Sequence, residues 1–205
     1  MDHQSPVSHR DAWNAEYRER GKLYGGAPFP LPDIPRGSCI LDLGCGNGKH
    51  LHPMEARGWR VIGIDHAEEA IRLCQDKSYL LIGDACRLPF KDRSFHAIIG
   101  IHILGHLPEQ MRSLLINEAF RILKSGGIFQ CTVFSRRDMR CGKGEEIHPF
   151  TYLRRGIITH YFTEGEVCEM KGPFQEATAS LESYPVRFSG ELYTREHITF
   201  TFRKL

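Results

Sequence analysis

A glycine-rich turn directly after a short apolar run is the feature that most limits how this chain can fold. Residues 40–48 read Ile-Leu-Asp-Leu-Gly-Cys-Gly-Asn-Gly. The apolar residues predict a buried strand that ends near Leu43, followed at once by a helix over about Asn47–Arg57. The three glycines let the backbone turn sharply, and they let a ligand approach the main chain without meeting a Cβ atom. The pattern predicts a ligand-binding turn between a strand and a helix.

The stretch around this turn, residues 38–135, alternates short apolar runs with helical patterns. The apolar runs are Cys39–Leu43, Arg60–Ile64, Tyr79–Ile82, Ala97–Ile103 and Ile128–Phe134, and the helical candidates are Asn47–Arg57, Ala67–Lys77 and Pro108–Lys124. Runs that are apolar at every position are typical of strands buried on both faces, as in a parallel sheet covered by helices. The alternation predicts a doubly wound α/β domain.

The pattern changes after Ser135. Residues 136–159 read as a long polar connection, of the kind that is usually functional or mobile. A capping box at Thr163–Glu166 predicts a short helix ending near Lys171. Glu176–Tyr184 and His197–Arg203 predict a final antiparallel pair of strands at one side of the sheet.

Length and composition are those of an ordinary globular protein. The 205 residues predict a single domain over residues 1–205, and 41% of them are hydrophobic. Lys and Arg number 27 against 25 Asp and Glu, a net charge of +2, which argues mildly against a fold built to grip nucleic acid. Ala97–Leu104 is too short to span a bilayer, and residues 1–5 lack signal-peptide features. We expect a cytoplasmic protein with no membrane partner.

Cysteines and histidines do not predict a metal site. The seven cysteines contain no Cys-x-x-Cys pair, so reduced thiols are expected. His102 and His106 would share a face only on a helix, and no carboxylate or thiol nearby completes a ligand set. We therefore expect no bound metal ion.

The glycine spacing narrows the class of ligand. A dinucleotide fingerprint, G-x-G-x-x-G, needs a third glycine at position 49, where this chain has Lys49. A Walker phosphate loop fails as well, because Gly44 is not followed by Gly-Lys-Ser/Thr at the required spacing. The spacing in this chain is G-x-G-x-G.

This turn resembles the first motif of the class I S-adenosylmethionine-dependent methyltransferases, and the match continues in order through Phe134. The resemblance implies a Rossmann-like, mostly parallel seven-stranded sheet of order 3-2-1-4-5-7-6 with one antiparallel strand. It also implies that S-adenosylmethionine is the methyl donor and S-adenosylhomocysteine the product. Residues 38–135 would then be the cofactor-binding core, and residues 136–205 the acceptor side.

The resemblance also assigns individual cofactor contacts. Asp65 would accept both ribose hydroxyls, although an aspartate at a strand end also often caps a helix. Asp84 would accept from the adenine amino group while the backbone N–H of Ala85 meets a ring nitrogen, although Gly83–Ala85 could also be an ordinary turn. The backbone near Ile101 would face the methionine end. The full set of expected cofactor-binding residues is Trp13, Tyr17, Asp42, Gly44, Cys45, Gly46, Asp65, His66, Asp84, Ala85 and Ile101.

The N-terminal residues 1–30 are expected to form a lid. They predict a helix near Asp11–Arg20 and then an irregular segment over residues 25–32, which is rich in proline and glycine. The spacing from Trp13 to Pro28, like the stretch 142–163, is similar to small methyltransferases of the tellurite-resistance type. That similarity implies that Trp13 and Tyr17 contact the cofactor's methionine end. Plain helix packing is the alternative for two aromatic residues four positions apart.

The resemblance names no obligatory catalytic residue and no acceptor. An activated sulfonium methyl requires mainly alignment and exclusion of water, so a base is needed only if the acceptor must lose a proton. The candidate bases are His102, His106 and His160, each of which could instead be structural. A small-molecule acceptor is expected first, and a nucleic acid or protein acceptor stays open. Four cations within residues 136–143 could attract an anionic substrate or simply be solvated.

Two other classes of function remain open at this point. The chain could bind the cofactor as a regulatory or assembly protein without turnover. It could also be a nicotinamide-dependent oxidoreductase, which Lys49 within the fingerprint disfavours.

Overall fold

A computed structural model describes residues 8–23, 29–75 and 79–205. The predicted segment between Tyr24 and Pro28 and the end of the predicted helix Ala67–Lys77 lie outside the described residues. The elements in chain order are α1 (His9–Arg20), β1 (Cys39–Leu43), α2 (Leu51–Ala56), β2 (Arg60–Asp65), α3 (Glu68–Arg72), β3 (Leu80–Ile82), β4 (Phe95–Ile101), a 3-10 helix (Ile103–His106), α4 (Glu109–Ile122), β5 (Leu123–Phe134), β6 (Glu145–His148), β7 (Thr151–Arg154), β8 (Ile157–His160), α5 (Glu164–Glu169), β9 (Glu176–Phe188) and β10 (Glu191–Arg203).

Seven of these strands form one sheet in the order β3-β2-β1-β4-β5-β10-β9. Neighbouring strands are parallel from β3 to β5, and β10 pairs antiparallel with both β5 and β9. Counting only the strands of this sheet, β9 is the sixth and β10 the seventh, so the order is 3-2-1-4-5-7-6 with one antiparallel strand. The predicted fold class is confirmed.

Apolar side chains are buried on both faces of the sheet, as the uninterrupted apolar runs predict. On one face α4 packs its stripe of Leu115, Ala119 and Ile122 against the strands, where Phe129 and Phe202 are fully buried. On the other face a smaller cluster forms around Ile40, Met54, Trp59 and Val61. No helix in the described part of the chain is long and apolar enough to cross a membrane.

Strand β5 begins earlier than predicted, because the glycine pair after α4 forms a bulge within the strand. Its pairing with β4 jumps from Phe95–Leu123 to Ala97–Ile128, so residues 124–127 are looped out of register. The buried Lys204 ammonium donates to the carbonyl oxygens of Phe120 and Leu123, at 2.6 and 2.7 Å. It thereby satisfies carbonyls that the end of α4 leaves without helical partners.

The prediction of a long irregular connection over residues 136–159 is wrong for its second half. Strands β6, β7 and β8 form a separate antiparallel sheet. Strands β7 and β8 are joined by a two-residue turn, Arg155-Gly156, in which both residues have positive φ, 54° and 78°. Such turns match the twist of a hairpin. The strands are only four residues long and only partly buried, so their sequence carries little apolar alternation.

The final hairpin is longer than predicted, because β9 and β10 each contain 13 residues. Only the part of β10 from His197 to Arg203 pairs with β5, and His197 lies opposite the last residue of β5, Phe134. The outer part of the hairpin therefore projects beyond the carboxyl end of β5. The capping box of α5 is present as predicted, with Thr163 and Glu166 bonded reciprocally.

Candidate cofactor and acceptor site

A cavity of about 1530 Å³ lies across the carboxyl ends of the parallel strands. Its floor is made by the turns after β1, β2, β3 and β4, while α1 covers one side. The small sheet and the projecting hairpin form the opposite wall. Ligands of open α/β sheets bind at this position, where the strand order reverses.

The glycine-rich turn has the left-handed backbone that its glycines predict, but α2 begins at Leu51, later than the predicted start near Asn47. Gly44, Gly46 and Gly48 all have positive φ, at 74°, 55° and 78°. A Cβ atom at Gly44 would lie 2.9 Å from Ile103 Cδ1, and one at Gly46 would lie 2.6 Å from Tyr17 Oη. Side chains at these two positions would therefore collide with the cavity walls and fill the floor. Gly44, Cys45 and Gly46 all line the cavity.

Asp65 lies at the end of β2 and lines the same cavity. Its Oδ2 accepts the backbone N–H of Gly46 at 2.8 Å, and its Oδ1 accepts that of Ala67 at 2.9 Å. Burial raises the pKa of this carboxyl, and the backbone N–H donors oppose that rise. Each carboxylate oxygen has a second lone pair, so the group can still accept from a ligand. The neighbouring His66 also lines the cavity, and burial lowers its pKa.

The turn after β3 brings Asp84 and Ala85 to the cavity. Asp84 Oδ1 accepts the backbone N–H of Cys86 at 2.8 Å, which fixes the turn as a short Asx-type loop. The sequence left two interpretations open for residues 83–85, an ordinary turn and a contact with the ligand. The structure has the turn, and it also places Asp84 and Ala85 at the cavity, so the two interpretations are compatible. Ile101, at the end of β4, lines the cavity as well.

Asp42 does not line the cavity, unlike the other predicted cofactor residues. It lies within β1, is 2% exposed, and its Oδ2 has no partner among the described residues. Burial, and then the nearby Asp65, raise the pKa of Asp42 to about 7. Its position beneath the turn indicates support of the turn rather than contact with a ligand.

Helix α1 packs across the cavity and places Trp13 and Tyr17 in its wall. Both side chains are buried, and the Trp13 ring lies 4.9 Å from the His106 ring in an edge contact. Arg18 pairs with Glu69 of α3 at 3.1 Å. On the other side the helix is tied to the β7–β8 turn, where Arg155 pairs with Glu19 at 2.6 Å.

The histidines predicted as candidate bases separate into two groups. His102 and His106 line the cavity, whereas His160 does not. His160 is buried between Thr151 and Glu166, at 2.6 Å from each, and holds the small sheet to α5. Burial lowers the pKa of His106 to about 4, so it is neutral at physiological pH. His9, which the sequence analysis did not single out, contacts His66 and also lines the cavity.

The four cations of residues 136–143 also fall into two groups, those outside the cavity and those that line it. Arg136 and Arg137 pair with Glu166 and Glu196, at 2.9 and 2.8 Å, outside the cavity. Arg140 and Lys143 line it, together with cations that sequence reasoning missed, Arg10, Arg20, Lys49, Arg154, Arg155, Arg187 and Arg195. Among the residues that the structure describes, four carboxylates line the same cavity, Glu16, Asp65, Asp84 and Glu182. A chain that is almost neutral overall therefore concentrates positive charge around this space.

The fold and cavity together define an α/β domain with a nucleoside-cofactor site, and sequence comparison specifies the class. Residues 40–127 match the model of a methyltransferase domain. This segment contains the glycine-rich turn, Asp65, Asp84 and β4, which are the elements of the cavity floor.

Curated relatives carry related names. A tRNA (carboxymethyluridine(34)-5-O)-methyltransferase of Arabidopsis thaliana is 39% identical over 107 residues, covering 51% of this chain and 26% of that protein. An enzyme of the same name from Xenopus tropicalis is 32% identical over 99 residues, covering 47% of this chain and 15% of that protein. The chain thus spans about a quarter or less of the length of these relatives.

Solved structures show the same fold over most of the chain. A methyltransferase from Methanosarcina mazei described as S-adenosylmethionine-dependent has a TM-score of 0.66 and 25% identity, covering 84% of this chain and 95% of that one. A Haemonchus contortus phosphoethanolamine N-methyltransferase in complex with S-adenosylhomocysteine has a TM-score of 0.61 over 84% of this chain and 50% of its own. At 16% identity the second likeness shows the fold alone. The matched region is therefore a methyltransferase domain of the S-adenosylmethionine-dependent type, with S-adenosylmethionine as its cofactor.

Proposed function

We propose that this methyltransferase acts on a nucleotide of an RNA. The observation that carries the proposal is the division of the cavity: its floor presents Asp65 and Asp84 to a nucleoside, while its outer walls present an excess of cations. Polyanionic acceptors are held chiefly through such cations. The cations around the cavity therefore weaken the argument that the small net charge of the whole chain made against a nucleic-acid partner. The names of the curated relatives, which specify tRNA, support the same class of acceptor.

The cavity floor fits the cofactor. Asp65 would hold the ribose hydroxyls, Asp84 and the N–H of Ala85 would hold the adenine, and Gly44–Gly46 would leave room for the methionine end. The positive φ angles of Gly44 and Gly46, and the collisions that a Cβ there would cause, are the features of a close-fitting cradle. Bound S-adenosylmethionine supplies an electrophilic methyl group on a sulfonium.

The remaining residues would align the acceptor and exclude water. Trp13 and Tyr17 of α1 cover the floor, and the Trp13–His106 contact closes the space between α1 and the strand ends. Enclosure of this kind favours in-line attack, because it holds the two reactants at short range and keeps solvent away. With its pKa lowered to about 4, His106 is neutral at pH 7 and would be a weak base.

A small-molecule acceptor, which the sequence analysis expects first, is the second candidate. The contact between Trp13 and His106 closes part of the cavity, so an acceptor must reach the strand ends through the remaining opening. This restriction favours a small molecule. A flipped nucleobase would use the same opening, at the cost of unstacking.

Methyl transfer from labelled S-adenosylmethionine distinguishes the two candidates. The purified protein is incubated with total tRNA and, separately, with libraries of small carboxylates, amines and thiols. We expect label in the RNA fraction that ribonuclease releases and that protease does not. Label that appears only in small molecules would overturn the RNA proposal. Binding of S-adenosylhomocysteine without transfer to any acceptor would instead favour a regulatory protein.

A further inference from the structure

We propose that the projecting end of the β9–β10 hairpin is a stacking surface for the bases of single-stranded RNA that adjoin the nucleotide entering the cavity. The surface is formed by the side chains of Tyr184, Phe188 and Tyr193, which we call the hairpin rings. The inference rests on the proposed RNA acceptor, but it concerns a part of the molecule outside the cofactor floor. None of these residues belongs to the predicted cofactor-binding set.

The hairpin rings lie on one side of the hairpin. Side chains two positions apart on a strand point the same way, and directly paired residues of an antiparallel hairpin share a side. Tyr184, Val186 and Phe188 therefore share one side of β9. Tyr193 of β10 lies on that side too, because it pairs with Val186, and its ring meets that of Phe188 with centroids 6.5 Å apart. The three β9 residues line the cavity, so this side of the hairpin faces it.

Two of the hairpin rings are open to solvent. Tyr184 is 40% exposed and Phe188 is 61% exposed. Both residues belong to the part of the hairpin that extends past the pairing of β10 with β5, which ends at His197. Burial of an aromatic ring against a flat apolar partner is favourable. The hairpin thus offers exposed aromatic surface at the rim of the cavity that an acceptor must enter.

A series of ring contacts connects this surface with the ends of the parallel strands. The Tyr184 ring stacks on that of His197, with centroids 5.6 Å apart and an angle of 20° between the planes. The His197 ring lies 5.4 Å from that of Phe134, which stacks on His102 at 3.9 Å. His102 directly follows β4 and lines the cavity. The exposed rings are therefore continuous with the place where methyl transfer is expected.

The hairpin has no charge excess of its own. Two cations, Arg187 and Arg195, line the cavity from this hairpin, and two carboxylates, Glu182 and Glu191, lie on the side that carries the rings. The excess of cations around the cavity therefore comes from other elements. Phosphate groups would be held by those elements, while the hairpin would contribute mainly through its rings.

Single-stranded RNA is the partner that fits this combination. Proteins bind it with a cationic groove that follows the backbone and with aromatic side chains on which unpaired bases stack. Stacking requires an accessible ring face, and the exposed side of Phe188 supplies one. The bases next to a nucleotide inserted into the cavity would pass along the hairpin, because the hairpin forms part of the cavity wall.

Fluorescence anisotropy with labelled RNA, on protein saturated with S-adenosylhomocysteine, tests the surface. The probes are a short oligouridine and an abasic strand of the same length, which has the same phosphates but no bases. We expect the wild type to bind the oligouridine about tenfold or more tighter than the abasic strand. Phe188→Ala and Tyr184→Ala should each weaken oligouridine binding about fivefold or more, and should leave abasic binding unchanged.

Further substitutions separate stacking from simple apolar contact and from charge. Phe188→Trp keeps a large ring and should retain binding, whereas Phe188→Leu keeps an apolar side chain without a ring face and should behave like Phe188→Ala. The salt dependence of binding should be the same for Phe188→Ala and the wild type, because release of counterions depends on charged contacts.

The matched control is Leu192→Ala. Leu192 is 67% exposed at the same end of the hairpin, but it does not line the cavity, so its removal should leave oligouridine binding unchanged. The melting temperature and the affinity for S-adenosylhomocysteine should match the wild type in all the Phe188 variants and in Leu192→Ala. These two side chains are exposed, and the cofactor floor lies elsewhere.

Three results would overturn the inference. The first is wild-type oligouridine binding in both Phe188→Ala and Tyr184→Ala, and the second is full binding in Phe188→Leu. The third is a dimer in sedimentation experiments that Phe188→Ala converts to a monomer, which would assign the rings to a contact between copies. Failure of the RNA proposal gives a different result, since oligouridine binding would still depend on Phe188 while tRNA accepts no label.

Discussion

The Asp65 carboxylate accepts the backbone N–H of Gly46 at 2.8 Å, so the end of β2 directly braces the glycine-rich turn that follows β1. Its other oxygen accepts the N–H of Ala67 and starts the segment leading into α3. The two interpretations that the sequence left open, ribose binding and capping, are therefore compatible in one side chain. Loss of this carboxylate should affect cofactor affinity and the stability of the free protein together.

Asp65→Ala should lower the affinity for S-adenosylhomocysteine about a hundredfold or more, because two charge-assisted bonds to the ribose are lost. The melting temperature of the free protein should also fall, since two buried N–H groups lose their acceptor. Asp65→Asn keeps one acceptor oxygen, so its affinity and melting temperature should lie between those of Asp65→Ala and the wild type. Titration calorimetry and thermal denaturation measure the effects, and an affinity within about threefold of the wild type would exclude the ribose role.

S-adenosylhomocysteine should raise the melting temperature as its concentration exceeds the dissociation constant, with stabilisation of about 2.7 kcal/mol at a hundredfold excess. NAD should have no such effect, because Lys49 occupies the position where a dinucleotide fingerprint needs glycine. A thermal shift series with both ligands provides the measurement. Stabilisation by NAD alone would restore the oxidoreductase interpretation.

Bound S-adenosylhomocysteine should slow hydrogen exchange of the amides of α1, residues 9–20. Trp13 and Tyr17 face the cavity and pack in a small apolar cluster with Ala67 and Ala70, while the ion pairs that tie the helix to α3 and to the β7–β8 turn are largely exposed. A helix held by so small a cluster and by exposed ion pairs can open locally. Arg155→Ala, which removes the tie to the β7–β8 turn, should speed exchange in the free protein. Arg72→Ala is the matched control, because its ion pairs lie within α3. Unchanged exchange on ligand saturation would contradict a lid.

Much of the fold and the cofactor floor could be predicted because their signals are local. Apolar runs mark β1, β2 and β4, and the spacing of Gly44, Gly46 and Gly48 marks the turn within a few residues. The strand order follows from the resemblance to the methyltransferase family. Those signals depend on backbone conformation and burial, which the nearby sequence controls.

The acceptor half could not be predicted, because it is assembled from distant segments with ordinary surface composition. Arg195 and Asp138 are 57 positions apart and meet only through the β5–β10 pairing. The polar residues of β7 and β8 carry too little alternation to indicate strands. The sequence shows four cations within residues 136–143. It does not show that Glu166 and Glu196 pair with two of them, because those carboxylates come from distant parts of the chain.

Lys204→Met should lower the free energy of unfolding by about 1–3 kcal/mol, because the carbonyls of Phe120 and Leu123 lose a buried charged donor. The ammonium lies 4.4 Å from the centroid of the Phe120 ring, and methionine preserves most of the side-chain volume. Cofactor affinity should stay unchanged, since the residue lies outside the cavity wall. Denaturant unfolding and calorimetry test both parts, and unaltered stability would show that solvent replaces the ammonium at no cost.

Stability should decrease as the pH falls from about 6.5 to about 4, and the histidines around Trp13 should account for part of the decrease. Burial lowers the pKa of His9 and His106 to about 4, with further repulsion of His9 by His66 and His106 and of His106 by Arg140 and His66. In the unfolded chain these groups titrate near their ordinary value of about 6.5. Within this window the unfolded state binds more protons, so the free energy of unfolding must fall with pH.

Replacing one of these histidines isolates its contribution from that of other groups, such as Asp42, whose raised pKa acts in the opposite direction. His106→Gln should flatten the stability profile between pH 6.5 and pH 4 by on the order of 1 kcal/mol, because the variant has no proton to gain. Urea unfolding at half-unit pH steps gives the two curves, and equal slopes for His106→Gln and the wild type would show that His106 does not contribute.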